Sequence, residues 1–231
     1  NACRRKEKSP SEIKMENPSS SSSLLLVAEQ CIRLLKKKGI KLVVFDMDLT
    51  AVSKHSRGRL ERGTQLDDFL SFATVGFKTL VPELFKHGFY LAIATHSDEA
   101  EFVTGRQASM INPDTHILGK ELASKLIEKY FTNDIVSSFF IVAYNPRAHH
   151  HRQEEEEEQE NNEEENINKM KRYHFRLIRN HFSDVEPKEI LFFDDTEEIV
   201  RDCNEFCNIN AFQVDPNFGF RLEDITKNIL P

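Results

Sequence analysis

One stretch constrains this chain more than any other: Lys41-Leu42-Val43-Val44-Phe45-Asp46-Met47-Asp48-Leu49-Thr50. After the lysine it is apolar, with no polar alternation. That is the pattern of a strand buried on both faces, as in a parallel sheet covered by helices. The run stops on two aspartates spaced i, i+2. A strand that ends here turns both carboxylates over its carboxyl edge, where open α/β sheets bind ligands. Neighbouring carboxylates are costly unless a cation or a shared proton compensates. An oxygen-only set favours a hard cation such as Mg²⁺. A cap accounts for one Asp and gives no reason for the second.

The rest of the chain alternates strands with helices. Leu24–Lys38 is expected to be helical, stopped by Gly39, and residues 40–46 to be the first strand. A turn or flap over the strand edge follows, then a short helix near Leu66–Phe72. Val75–His87 reads as a helix that Pro82 should bend. Phe89–Ala94 reads as the second strand, ending on Thr95-His96-Ser97. Ser97–Met110 opens with a cap and an acidic first turn, which predicts a helix. Lys120–Tyr130 is amphipathic, and Phe139–Ala143 is a third strand. Asn168–His181 is a helix and Glu189–Phe193 a fourth strand, running into Asp194-Asp195. Thr196–Phe206 is a helix, Ile209–Val214 a fifth strand, and Leu222–Ile229 the last helix. The expected fold is a three-layer αβα, Rossmann-like parallel sheet with right-handed crossovers.

Composition places the domain boundaries. Residues 1–23 are basic, then serine-rich, and read as a disordered tail before a single domain over 24–231. Residues 152–167 read as a disordered acidic insertion. Glu154–Glu165 holds nine glutamates, more than the whole formal charge of −7, so the rest of the chain is slightly basic. That balance gives no nucleic-acid footprint. No apolar run is long enough to span a bilayer, so neither nucleic acid nor membrane is expected as a partner. The four cysteines form no C-x-x-C pair, and Cys203 and Cys207 read as core residues of a reduced, cytoplasmic protein. His149-His150-His151 reads as a solvated loop, since three consecutive side chains do not converge easily on one ion.

Four motifs meet at one edge if the strands are parallel: Asp46/Asp48, Thr95, Lys171 and Asp194/Asp195. Here the chain resembles the haloacid dehalogenase-like phosphatases. The D-x-D-x-T of Asp46–Thr50 is similar to their first motif, Leu91–Thr95 to the second, Lys171 to the third, and Phe192-Phe193-Asp194-Asp195 to the fourth. The K-x-x-H-F of Lys171–Phe175 ahead of F-F-D-D resembles the magnesium-dependent phosphatase-1 branch. The chain departs from that branch in three places. Leu49 stands for an aromatic residue, His96 for an arginine and Ile199 for an asparagine.

The resemblance implies a HAD-like fold with a minimal cap or none, and Mg²⁺-dependent hydrolysis of a phosphomonoester through an aspartyl-phosphate. The substrate would be a phosphorylated small molecule or a phosphoprotein. Asp46 would be the nucleophile, Asp48 the general acid and base, and Lys171 the stabiliser of phosphoryl charge. Thr95 and His96 would contact substrate, and Asp46, Asp48, Asp195 and Asp194 would serve the metal. Residues 97–138 have the length for a modest lid. A catalytically silent interaction scaffold and a phosphotransferase are the alternatives.

Overall fold

The computed structural model describes residues 18–58, 60–104, 109–146, 148 and 170–229. Residues 1–17, the acidic insertion at 152–167, His149–His151 and Lys169 lie outside the described residues. Five parallel strands form the central sheet: β1 (Leu42–Phe45), β3 (Tyr90–Thr95), β5 (Phe139–Ala143), β6 (Ile190–Asp194) and β7 (Asn210–Gln213). Their order is β5-β3-β1-β6-β7. The chain therefore winds outward from β1 through β3 to β5, then crosses to β6 on β1's other side. The β1/β6 crevice is the switch point, where parallel α/β sheets open a ligand site at the carboxyl edge.

Alternation along the strands divides the core in two. Val43, Phe45, Leu91, Ile93, Leu191 and Phe193 face one layer. That layer holds α1 (Pro18–Lys37), α2 (Thr64–Ser71), α3 (Val75–Lys86), α4 (Gly119–Tyr130), α5 (Asn133–Ser138) and α8 (Leu222–Ile229). Leu42, Val44, Ala92, Ala94, Ile190 and Phe192 face the other layer. That layer holds α6 (Arg172–His181) and α7 (Glu197–Asp202). Both faces of the sheet are covered, so its strands carry no polar alternation. The fold class is the αβα sheet expected from the sequence.

Phe45, the last residue of β1, is locked by aromatic neighbours. Its ring meets Phe77 edge-on at 5.1 Å and Phe220 at 5.2 Å, and stacks on Phe193 at 5.8 Å. Such pairs add to area burial. They fix the strand end from which Asp46 projects. The Asp46 N–H extends the ladder by donating to the Phe193 carbonyl at 2.9 Å.

Several local expectations differ. The expected tail turns helical at Pro18, because proline suits a first helical turn whose N–H groups are unpaired anyway. The apolar face of Ala28, Cys31, Ile32 and Leu35 then anchors the whole helix. Among the described residues of Ser97–Met110, where a helix is expected, there is one 3-10 turn, Glu99–Phe102, capped by Asp98 rather than Ser97. None of its residues is buried, so it has no apolar face to stabilise further turns. The helix expected at Thr196–Phe206 stops at Asp202 and continues as a π turn, Cys203–Cys207. Both cysteines are buried in the core. Pro82 does not interrupt α3. Leu60–Glu61 (β2) and His116–Ile117 (β4) pair as a short antiparallel ribbon beside the main sheet. Among the described residues, no helix is long and apolar enough to cross a membrane.

The loop after β1 is braced from the C-terminal segment. Gly219 has φ +64°, and a Cβ there would lie 2.8 Å from the Thr50 carbonyl oxygen and 2.7 Å from Thr74 Cγ2. Gly39 has φ +72° with nothing within 4 Å. Gly39→Ala should therefore cost only the left-handed backbone term, roughly 1–2 kcal/mol. Gly219→Ala should add overpacking of about 1–3 kcal/mol. Thermal melts of the two variants should show the larger fall for Gly219→Ala; equal falls would mean that the close approach is relieved at no cost.

Candidate active site

Asp46, Asp48, Thr95, His96, Lys171, Asp194 and Asp195 all line one cavity of about 490 Å³ at the carboxyl edge of the sheet. Asp195 thus shares the cavity with Asp46. Asp46 follows β1 directly, Thr95 ends β3 and Asp194 ends β6. Beyond Asp48 the backbone reverses at Leu49, whose φ is +56°. The Ala51 N–H then reaches the Asp46 carbonyl at 3.2 Å, and the Val52 N–H reaches the Met47 carbonyl at 3.0 Å. This turn holds both aspartates over the strand end.

Lys171 reaches the site from the N-terminus of α6. The preceding residue, Met170, takes φ +52°, a costly conformation for a side chain with a Cβ. That turn drives Lys171 inward, where it is 1 % exposed. Its ammonium donates to Asp46 Oδ1 and to the Ala94 carbonyl, and lies 3.1 Å from Asp194 Oδ2. Burial works against the Lys171 charge. Asp194 and Asp46 outweigh it and hold the ammonium above the usual lysine range. Burial pushes the Asp46 carboxyl up to about 8; Lys171 pulls it down, while Asp194 and Asp48 add to the rise. Burial and Asp194 likewise raise Asp195.

The remaining contacts are polar. Asp48 Oδ2 accepts from the Ser56 N–H at 3.0 Å and the Ser56 hydroxyl at 2.6 Å, and lies 2.8 Å from His55 Nδ1. Thr95 Oγ1 accepts from the Ser97 N–H at 3.2 Å. His96 Nε2 meets the Met170 carbonyl at 3.1 Å. Asp194 Oδ1 accepts from the Thr196 N–H at 2.9 Å. Asn145 donates its N–H to Asp98 Oδ2 at 2.8 Å and its amide to Glu101 Oε1 at 2.9 Å, and Asn145 and Glu101 also wall the cavity.

His55, Ser56, Glu101 and Asn145 were not singled out from the sequence. The flap was expected; which of its polar residues face inward depends on a reversal at Arg57 and Gly58. Their φ values are +60° and +61°. Glycine marks such a turn, while the arginine carries no such signal.

A hard cation fits this donor set. Lys171 and Arg57 face four aspartates and Glu101 in this cavity. Among the described residues, Asp48 Oδ1 is buried without a hydrogen-bond donor, a state that costs free energy unless something compensates, and Asp194 Oδ2 meets only the ammonium it shares with Asp46. Among the described residues, no three His, Cys, Asp or Glu side chains are already gathered as a metal cluster. Lys171 sits between Asp46 and Asp194, and Asp48 Oδ2 is engaged by the flap.

No family model and no curated protein matches the chain. Among solved structures, it is similar to the N-terminal part of a Bacteroides fragilis protein containing a phosphatase domain, complexed with Mg. The likeness covers 85 % of this chain and 42 % of that one, at 14 % identity and a TM-score of 0.43. This chain thus spans less than half of that structure.

His174 supports the site from beneath. Its Nε2 donates to the Thr95 carbonyl at 2.9 Å, and its buried Nδ1 has no hydrogen-bond partner among the described residues. Burial, then the charges of Lys171 and His96, push its pKa well below the usual histidine value. In the unfolded chain it titrates near ~6.5. Below that pH the unfolded state binds a proton that the native state refuses. This contribution to stability is therefore complete above ~6.5 and shrinks as the pH falls. His174→Gln keeps a donor for Thr95 and removes the titration. Its melting temperature should fall less than the wild type's between about pH 7 and about pH 5; parallel curves would refute this.

Proposed function

We propose that this chain is a Mg²⁺-dependent phosphatase of the haloacid dehalogenase-like superfamily, resembling the magnesium-dependent phosphatase-1 branch in its motifs. Its reaction would be hydrolysis of a phosphomonoester through an aspartyl-phosphate. The observation that carries this reading is the buried Lys171 ammonium joining Asp46 to Asp194 in a cavity that Asp48 and Thr95 also line. Phosphoryl transfer needs mainly positioning and charge neutralisation, and these residues supply both.

Asp46 is the nucleophile, held at the end of a rigid strand. Lys171 orients it and faces the phosphoryl oxygens. Asp48 protonates the leaving oxygen and later takes a proton from the attacking water, a role that typically contributes ~10²–10⁴-fold. Thr95 and His96 contact the phosphoryl group or its substituent. Asp46, the Asp48 carbonyl, Asp195 and Asp194 would hold Mg²⁺, whose charge screens the repulsion between carboxylate and phosphate. A cavity of about 490 Å³ suits a small phosphomonoester or a phosphorylated side chain of a protein. Cytoplasmic residence is part of the same proposal.

Hydrolysis of 4-nitrophenyl phosphate with Mg²⁺, and its loss with EDTA, is the first expected outcome. Asp46→Asn should abolish turnover and the acid-stable phospho-adduct. Lys171→Ala should lower kcat about 10²–10³-fold, the scale of losing one preorganised donor. No turnover with any divalent cation would leave the chain an interaction scaffold; turnover without an adduct on Asp46 would sink the covalent route.

A further inference from the structure

We propose that His55 and Ser56 of the flap are positioning residues that aim Asp48, an assignment that rests on the phosphatase reading above. Three contacts converge on Asp48 Oδ2: the Ser56 N–H and the Ser56 hydroxyl donate to it, and His55 Nδ1 lies 2.8 Å away. Nδ1 also accepts from the Arg57 N–H at 3.0 Å. The 2.8 Å approach of Nδ1 to Oδ2 takes one proton shared between the two atoms, because two bare acceptors would repel. Oδ2 is thereby occupied. Oδ1 is buried, has no hydrogen-bond partner among the described residues, and belongs to a residue that lines the cavity. It is the oxygen left to exchange a proton with substrate.

The flap is built to hold this clamp in place. The Ser53 N–H donates to the Phe72 carbonyl at 3.0 Å, and Lys54 pairs with Asp68. Beyond Ser56, the left-handed pair Arg57 and Gly58 reverses the chain into β2. The β2–β4 pairing and the two-pronged Arg62–Glu121 contact, at 2.6 and 2.7 Å, tie the flap's far end to α4. Ser56 is consequently presented by its backbone and its hydroxyl together, and is itself buried.

In the first step, Asp46 forms a bond to phosphorus as the bond to the leaving oxygen breaks, and Asp48 Oδ1 gives that oxygen its proton. In the second, water attacks the phosphorus of the adduct, its proton returns to Asp48, and Asp46 departs as carboxylate. A loosened clamp should hurt the first step only where the leaving group needs the proton. An alkoxide needs it; a 4-nitrophenolate does not.

The experiment compares kcat/KM for β-glycerol phosphate and 4-nitrophenyl phosphate at saturating Mg²⁺. The proteins are wild type, Ser56→Ala, His55→Phe and Ser56→Thr, each checked for a cooperative melt. Ser56→Ala and His55→Phe should lower the alkyl-phosphate value by ~10²-fold and the nitrophenyl value by a clearly smaller factor. Ser56→Thr should restore the wild-type ratio. His55→Phe, at a half-exposed position, keeps the test standing should Ser56→Ala fail to fold. Equal falls on both substrates would overturn the clamp and leave the phosphatase reading intact. A wild-type chain inactive on both would overturn the two together.

Discussion

A single buried ammonium organises the carboxyl edge of this sheet. Lys171 lies between Asp46 and Asp194 and also donates to the Ala94 carbonyl, so it touches the ends of β1, β3 and β6 at once. A charge this deep is tolerable only when it is paired and hydrogen-bonded. The carboxylates are tolerable for the same reason. Each group's burial thus depends on the others, and the strand ends are held in one arrangement.

The pairing leaves an electrostatic imbalance. Lys171, with Arg57 at the cavity wall, does not match four aspartates and Glu101 in charge, and among the described residues Asp48 Oδ1 is buried with no donor. In a purely structural site such a surplus would be removed by substitution with apolar groups, which is often neutral or stabilising. Keeping it makes sense where another positive charge enters as part of the work. The proposed divalent cation meets that need, and the flap's three contacts on Asp48 assign that residue a task apart from the pairing.

The sheet's connectivity explains why these groups meet. β1 is flanked by β3 and β6, strands far apart in sequence, and the order reverses between β1 and β6. Asp46 and Lys171 are 125 residues apart along the chain. Parallel pairing in register, Phe45 beside both Ile93 and Phe193, brings their strand ends level.

Much of this was legible in the residues. Unbroken apolar runs ending on Asp or Thr marked buried parallel strands and the edge where they stop, because burial on both faces removes polar alternation and side chains alternate along a strand. The 3.6-residue period marked most helices. Other features were decided only by tertiary packing. The 3-10 turn Glu99–Phe102 has no buried residue despite the capping signal before it, so local propensity was not enough to extend it. α1 extends back over the serines because its downstream face is anchored on α3 and α8. The flap is the clearest case. Sequence fixes which hydrogen-bonding groups a loop carries, but no periodicity says where a loop aims them. That Ser56 and His55 close on Asp48 follows from a left-handed reversal and a distant ribbon, and both exist only once the chain is folded.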